Sequence, residues 1–198
     1  MSDTASAPTS IRRLDTKDAT RLARLVMAYD DLQTVLRCCE RLLRMLGDAG
    51  EGADDVEVEA LWTLALLSYA RAFADGEGGA ALTPEDLGPA DEEVLRSHRV
   101  LLHLRDHHAD RSRNPRESYT VGLAQATSGA VNAVAVTTVP APLVDRPAVR
   151  KAGAMALQLC AVLDERIGSL QKEILAEMRD ISHDQLDRLD RVEVAAAS

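Results

Sequence analysis

Apolar residues near the start of the chain recur at alternating spacings of three and four. The run is Leu22, Leu25, Tyr29, Leu32, Leu36, Cys39, Leu43 and Leu46. Such a heptad pattern is typical of a helix packed along its length against other helices. It predicts one long helix over about residues 16 to 46, with Thr16 or Asp15 as its cap and Gly47 as its end. A more evenly apolar run from about Asp55 to Ala74 predicts a second, central helix.

Capping and turn signals divide the rest of the chain. Thr83-Pro84-Glu85-Asp86 predicts a short capped helix, and a third helix is expected over about residues 91 to 112, closed by Asn114-Pro115. Two Val- and Thr-rich runs within about residues 117 to 140, separated by Ser128-Gly129, predict a β-hairpin. Because an isolated hairpin is marginal in water, it is expected to lie on the helices or on a partner.

Pro147 then opens a second long helix that extends to about Met178, and a short capped helix is expected after Ser182. The predicted fold is therefore mainly α, an antiparallel helical bundle with two long helices and a β-hairpin inserted before the last long helix. We expect residues 1–15 to be disordered, residues 16–180 to form a single helical domain, and residues 181–198 to form a short helix and a frayed tail.

Composition supports helix packing and a cytoplasmic location. Hydrophobic residues make up 46% of the 198 residues but aromatic residues only 3%, so the core must consist mainly of Leu, Ala and Val. Neither a signal peptide nor an apolar run long enough for a membrane helix is visible. Cys38, Cys39 and Cys160 lie in apolar helical stretches and are expected to be buried and reduced.

The net charge of −9 argues against general affinity for nucleic acids or membrane surfaces, so any anion site must be local. One segment, residues 96–116, departs from this acidity. It carries six arginines against two acids and four of the five histidines of the chain. A helical period divides this segment into an inner and an outer side. The inner side carries Val94, Leu101, Leu104 and His108, and beside them Leu95, His98, Leu102 and Arg105. The roughly opposite, outer side carries Arg96, Arg99, His103 and His107.

Several kinds of chemistry are compatible with this segment. His103 and His107 have the spacing of two metal ligands on one helix face, but two further ligands are needed, and solvated histidines explain the pair more simply. No phosphate-binding loop, nucleophile elbow, dinucleotide fingerprint or zinc signature occurs, so neither a metal nor another cofactor is expected.

The stretch Leu104-Arg105-Asp106-His107-His108-Ala109-Asp110-Arg111-Ser112 resembles the R-[DN]-K-H-x-x-H-S motif of HEPN-like proteins, which also occurs in uncharacterised actinobacterial proteins. The resemblance implies a helical, commonly dimeric protein, and the catalytic members of that family are metal-independent endoribonucleases of toxin and phage-defence systems. Arg105 and His108 match the motif's arginine and first histidine and are the candidate catalytic residues. The motif's final histidine falls at Arg111, which stays protonated and cannot act as an acid–base group near neutral pH.

Three interpretations of the segment follow. Arg105 and His108 may be read as a polar pair that anchors the helix, as part of a local site for RNA or another anion, or as catalytic groups. For anion binding the candidates are Arg99, Arg111, Arg113 and Arg116. We favour a non-catalytic interaction module that binds RNA, another anion or a protein, and the long heptad pattern suggests a homodimer. A HEPN-like ribonuclease and a phage or virion structural component are the alternatives.

Overall fold

The computed structural model describes residues 11–47, 54–76, 79–88, 92–109, 118–139 and 143–192. Its helices are α1 (Lys17–Met45), α2 (Asp55–Ala72), α3 (Glu92–Ala109), α4 (Arg146–Met178) and α5 (His183–Asp187), with a 3-10 turn at Pro84–Leu87. Its strands are β1 (Ile11–Arg12), β2 (Ser118–Gln125), β3 (Val131–Val139) and β4 (Arg191–Val192). Strand β1 pairs antiparallel with β4, and β2 pairs antiparallel with β3. The predicted fold class, mainly α with two long helices and a hairpin before the last of them, is confirmed.

Side-chain caps fix where the long helices begin. The side chains of Thr16, Asp54 and Asp145 each accept a backbone N–H from the first turn of α1, α2 and α4, at distances of 2.8 to 3.1 Å. These bonds satisfy N–H groups that the helix itself leaves without a partner. The predicted cap at Ser182 is also present, because its side chain and that of Gln185 bond reciprocally to the backbone.

Neighbouring helices run antiparallel. Arg41, late in α1, binds Glu57, early in α2, at 3.0 Å, and Arg71 at the end of α2 binds Asp31 at 3.1 Å. On the other side of α1, the Arg146 guanidinium at the start of α4 donates to the carbonyl oxygen of Leu46 at 3.2 Å. Helix α1 therefore packs lengthwise against both α2 and α4.

The bundle has three closed sides and one that is partly open. Helix α1 packs against α2 and α4, and α3 packs against α2, but α3 makes few contacts with α4. Residues 79–88 fill part of the gap. Arg166 of α4 binds the Asp86 carboxylate through both of its terminal nitrogens and donates to the carbonyl oxygen of Ala81 at 3.0 Å. The remainder of the α3–α4 side is a groove.

The buried face of α1 is wider than the predicted heptad run. Its fully buried residues are Leu25, Ala28, Leu32, Val35, Cys38, Cys39 and Leu42. Leu22, Tyr29, Leu36, Leu43 and Leu46 from the predicted run are only partly buried. The reason is that α1 has a partner on two sides, so two rows of side chains point inward. Because α2 and α4 cover both rows, the heptad pattern needs no second copy of the chain to explain it, and the homodimer stays a prediction.

The three cysteines are buried and free of disulfides, as predicted. Burial raises the pKa of each thiol, to about 12 for Cys39. Thiolates are the reactive form of cysteine, so these side chains serve as small apolar core residues. Among the described helices, none combines the length and apolarity that crossing a membrane requires.

The ends of the described chain differ from the prediction. Ile11–Arg12 was assigned to a disordered segment and Arg191–Val192 to a frayed tail, yet the two pair as β1 and β4. The Arg12 guanidinium holds them together by donating to the Asp187 carboxylate at 2.7 Å and to the carbonyl oxygen of Leu189 at 2.8 Å. A two-residue strand has no periodicity that a sequence could display. Residues 1–10 and 193–198 lie outside the described residues.

We predict that Leu32→Ala lowers the free energy of unfolding by about 2 to 5 kcal/mol, because Leu32 is fully buried at the centre of α1. Leu175→Ala is the matched control, since Leu175 of α4 is 70% exposed and its truncation should change stability by no more than about 0.5 kcal/mol. Chemical denaturation followed by circular dichroism measures both. Equal effects of the two substitutions would contradict this assignment of the core.

Candidate functional site

The Arg/His segment begins on α3, whose two faces divide as the sequence predicts. His98 and Leu101 are buried, and Val94, Leu102 and Leu104 are partly buried. Arg96, Arg99 and His103 are exposed on the other face. The predicted inner and outer faces are therefore confirmed for these residues, whereas Arg105, predicted beside the inner row, is only partly buried.

Arg105 does not anchor the helix. Its guanidinium binds the carboxylate of the adjacent Asp106, at 2.8 Å from Nε and 2.5 Å from Nη2. Both side chains are well exposed, 37% for Arg105 and 49% for Asp106. The interpretation of Arg105 as part of a polar pair that anchors the helix gains no support, because the acid that it binds is its own neighbour on the helix surface. An exposed pair of this kind contributes at most about 1 kcal/mol.

The other predicted site residues are only partly described. His108 lies in the last turn of α3, and its side chain is outside the described part, as are Arg111, Arg113 and Arg116 altogether. Arg99 and Arg105 are six positions apart, which separates their directions by roughly 120° around a helix. Within the described residues, the two located arginines therefore do not converge on one point.

His98 is the buried polar group that sequence reasoning did not single out. It is 4% exposed, and its Nδ1 shares a hydrogen bond of 2.9 Å with the Tyr69 hydroxyl of α2. Its ring also lies 4.5 Å from that of Phe73, centroid to centroid. Burial, assisted by the positive charge of Arg99, lowers the pKa of His98, and burial raises that of Tyr69. This pair links α3 to α2.

The proposed metal pair gains no support from its surroundings. His103 is exposed, and the side chain of His107 is outside the described part. No group of three or more histidine, cysteine or acidic side chains within the described ranges is arranged to hold a metal ion.

The groove between α3 and α4 has a volume of about 560 Å³. Its apolar lining comes from Trp62, Val100, Leu101, Leu104, Ala148, Ala152 and Met155. At its rim, Lys151 binds Glu93 at 2.7 Å and Arg96 lies 3.8 Å from Glu92. Each cation thus faces a carboxylate, so the rim does not favour a ligand of either charge. Sequence reasoning missed this groove, since Trp62 and Lys151 belong to helices far apart in the chain.

The β-hairpin has two unlike faces. Its large face, as we name the row of large apolar side chains, consists of Tyr119, Val121, Leu123, Val134 and Val136; Thr138, opposite Tyr119, lies on the same side. The opposite small face carries Thr120, Gly122, Ala124, Ala133, Ala135 and Thr137. Val121 lies directly opposite Val136, and Thr120 directly opposite Thr137. The alternation of large and small side chains was visible in the sequence, but it does not say which face is covered.

Neither the helices nor charge protects the large face. Its five side chains are each between 61% and 68% exposed, and the hairpin makes few contacts with the helices described. Residues 118–144 contain no charged side chain. Exposed strands are normally protected by charges, prolines or a covering element. The sequence predicted that the hairpin lies either on the helices or on a partner. In the described residues its large face is not packed on the helices.

We predict that protonation of His98 destabilises the fold. Its folded pKa lies below the ordinary value of 6.5, so the unfolded chain binds the proton more readily. The stability contributed by neutral His98 is therefore fully present above pH 6.5 and is lost as the pH falls through the folded pKa. His98→Gln keeps an acceptor for the Tyr69 hydroxyl but removes the titration. The unfolding free energy of the wild type should fall relative to that of His98→Gln below pH 6.5.

Val100→Ala is the matched control, because it truncates an exposed side chain of the same helix that carries no titratable group. It should reproduce the wild-type dependence of stability on pH. If His98→Gln follows the wild-type curve as well, His98 does not titrate as its burial requires.

The chain matches no protein-family model, no curated protein and no solved structure. The HEPN-like resemblance therefore continues to rest on the single motif around Arg105 and His108. The functional interpretation has to come from the surfaces that the fold presents.

Proposed function

We propose that this protein is a non-catalytic interaction module and that the β-hairpin is its contact surface. The observation that carries the proposal is the exposure of all five side chains of the large face. Contiguous exposed apolar surface on a folded protein marks an interaction site or a liability to aggregate.

Energetics favour a covered hairpin over a free one. A two-stranded hairpin is at best marginally stable alone in water, and three strands or a packed face are normally needed. Burial of one large apolar side chain contributes about 1.5 to 3 kcal/mol. Five such side chains on one face therefore supply enough driving force for association once the costs of ordering are met.

The ribonuclease alternative has less support. HEPN-like cleavage requires an arginine together with an acid–base group of near-neutral pKa. Arg105 is paired with Asp106 on the helix surface, and the side chain of His108, the candidate acid–base group, lies outside the described part. Arg111 replaces the motif's final histidine. The phage or virion component is a variant of the same proposal, since such proteins act through contacts.

Polyanion binding by the Arg/His segment is a second candidate function. Arg99 is exposed, and residues 96–116 are locally basic in an acidic chain. Charges are screened beyond about 8 Å at physiological salt, so the overall charge of −9 does not prevent a local contact. RNA is the polyanion we would test, with Arg99, Arg111, Arg113 and Arg116 as the contacts.

We predict that a photo-crosslinking amino acid at position 123 captures a protein partner in the cytoplasm of living cells. Leu123 is 67% exposed on the large face, so it should lie inside the interface. The same amino acid at position 175 is the control, because Leu175 is 70% exposed on α4, away from the hairpin. A specific crosslinked band from position 123 alone is expected. Equal capture from both positions, or none from position 123, would refute the proposal.

For the second candidate, we predict weak, salt-sensitive RNA binding that is abolished by reversing the charge of Arg99, Arg111, Arg113 and Arg116. Fluorescence anisotropy with a labelled single strand measures it, and the melting temperature should be nearly unchanged. The control reverses four exposed arginines elsewhere, Arg21, Arg37, Arg150 and Arg179. Both variants carry the same net charge, so equal losses would indicate long-range repulsion instead of a local site.

A further inference from the structure

We infer that the partner of the large face is the large face of a second copy of this chain. In this arrangement two hairpins pack face to face about a twofold axis. The inference rests on the proposed function, that the hairpin is the contact surface, and adds the identity of what covers it.

The distribution of charge points to a second copy. Two identical molecules of net charge −9 repel each other, and they meet most readily where neither presents a charge. Residues 118–144 provide an uncharged stretch that includes the whole hairpin. A different protein partner is normally selected by complementary charges, and the hairpin presents none for it to match.

The two faces of the hairpin also fit a face-to-face contact. In stacked sheets about 10 Å apart, large apolar side chains of the inner faces interdigitate while the outer faces meet water. Val121 and Val136 would lie inside such a contact, and Thr120 and Thr137 outside it. The hairpin thus has large apolar side chains on one face and small side chains on the other, as in one sheet of a sandwich.

Pairing through strand edges is the competing geometry. Joining β3 of one copy to β3 of another would form a four-stranded sheet but would leave both large faces in water. It would therefore enlarge the exposed apolar surface instead of burying it. Face-to-face packing buries that surface and is self-complementary, so it closes at two copies.

The size of the contact sets the expected affinity. Strands of eight residues give a face about 26 Å long and about 10 Å wide, from the usual rise and spacing of strands. This footprint of about 260 Å² per copy is smaller than that of a standard interface. Weak, reversible association at high micromolar concentration is therefore expected.

Four single substitutions distinguish the geometries. Val121→Lys and Val136→Lys place a charge on the large face, one on each strand. Thr120→Lys and Thr137→Lys place the same charge on the small face, again one on each strand. All four side chains are exposed in the single chain, so the melting temperature of the bundle should not change. Analytical ultracentrifugation of the full chain across the micromolar range gives the dissociation constant of each variant.

We expect the wild type to dimerise. Both valine-to-lysine variants should have a dissociation constant at least about tenfold higher, because the contact would bury an unpaired charge. Both threonine variants should stay within about twofold of the wild type. Val121→Thr and Val136→Thr, which preserve strand propensity, should weaken the dimer less than lysine and confirm that the hairpin is still folded.

Other outcomes overturn the inference. Loss of the dimer in Val136→Lys and Thr137→Lys, but not in the β2 variants, would indicate edge pairing. A wild type that keeps the single-chain mass of 21.4 kDa at every concentration, or a dimer unaffected by all four lysines, would exclude the hairpin contact. If position 123 still crosslinks a different protein in cells, the interaction module survives and only its partner is corrected. If it captures nothing, the module fails with it.

Discussion

The two-sided burial of α1 is the constraint on which the rest of the fold depends. Leu32 and Leu42 are completely buried because α2 covers one flank of α1 and α4 the other. Because α2 and α4 cover both buried rows of α1, no further row of apolar side chains on α1 is left for another long helix to pack against. Helix α3 is consequently attached through α2. The side of the bundle between α3 and α4 is closed in part by residues 79–88, which Arg166 binds through Asp86, and is bridged by the Lys151–Glu93 pair.

Function is therefore to be sought in elements that the core does not use. The Tyr69–His98 hydrogen bond holds the inner face of α3 against α2, and the Arg105–Asp106 pair lies on the surface of α3. The hairpin between α3 and α4 contributes little to the bundle and keeps its large face in water. Its composition makes sense as a surface that becomes buried elsewhere.

Local signals in the sequence predicted the elements well. The caps at Thr16 and Ser182 and the turn at Ser128-Gly129 depend on neighbouring residues, so they can be read from a short window. Features that depend on distant residues were not predicted. The β1–β4 pair and the groove at Trp62 arise from the tertiary arrangement. Arg105 was misjudged because a helical period gives direction but not depth of burial.

The residues that join α1 to α4 are far apart in the sequence, so the ribosome synthesises them at different times. Leu46 and Arg146 are 100 residues apart, and Gln33 and Cys160 are 127 apart. While the ribosome is still translating the segment between them, one flank of α1 and the newly made uncharged hairpin are both without cover. Nascent chains on neighbouring ribosomes of one mRNA then expose identical apolar surfaces that can associate. Chaperones that cover these surfaces are therefore important until α4 has been synthesised.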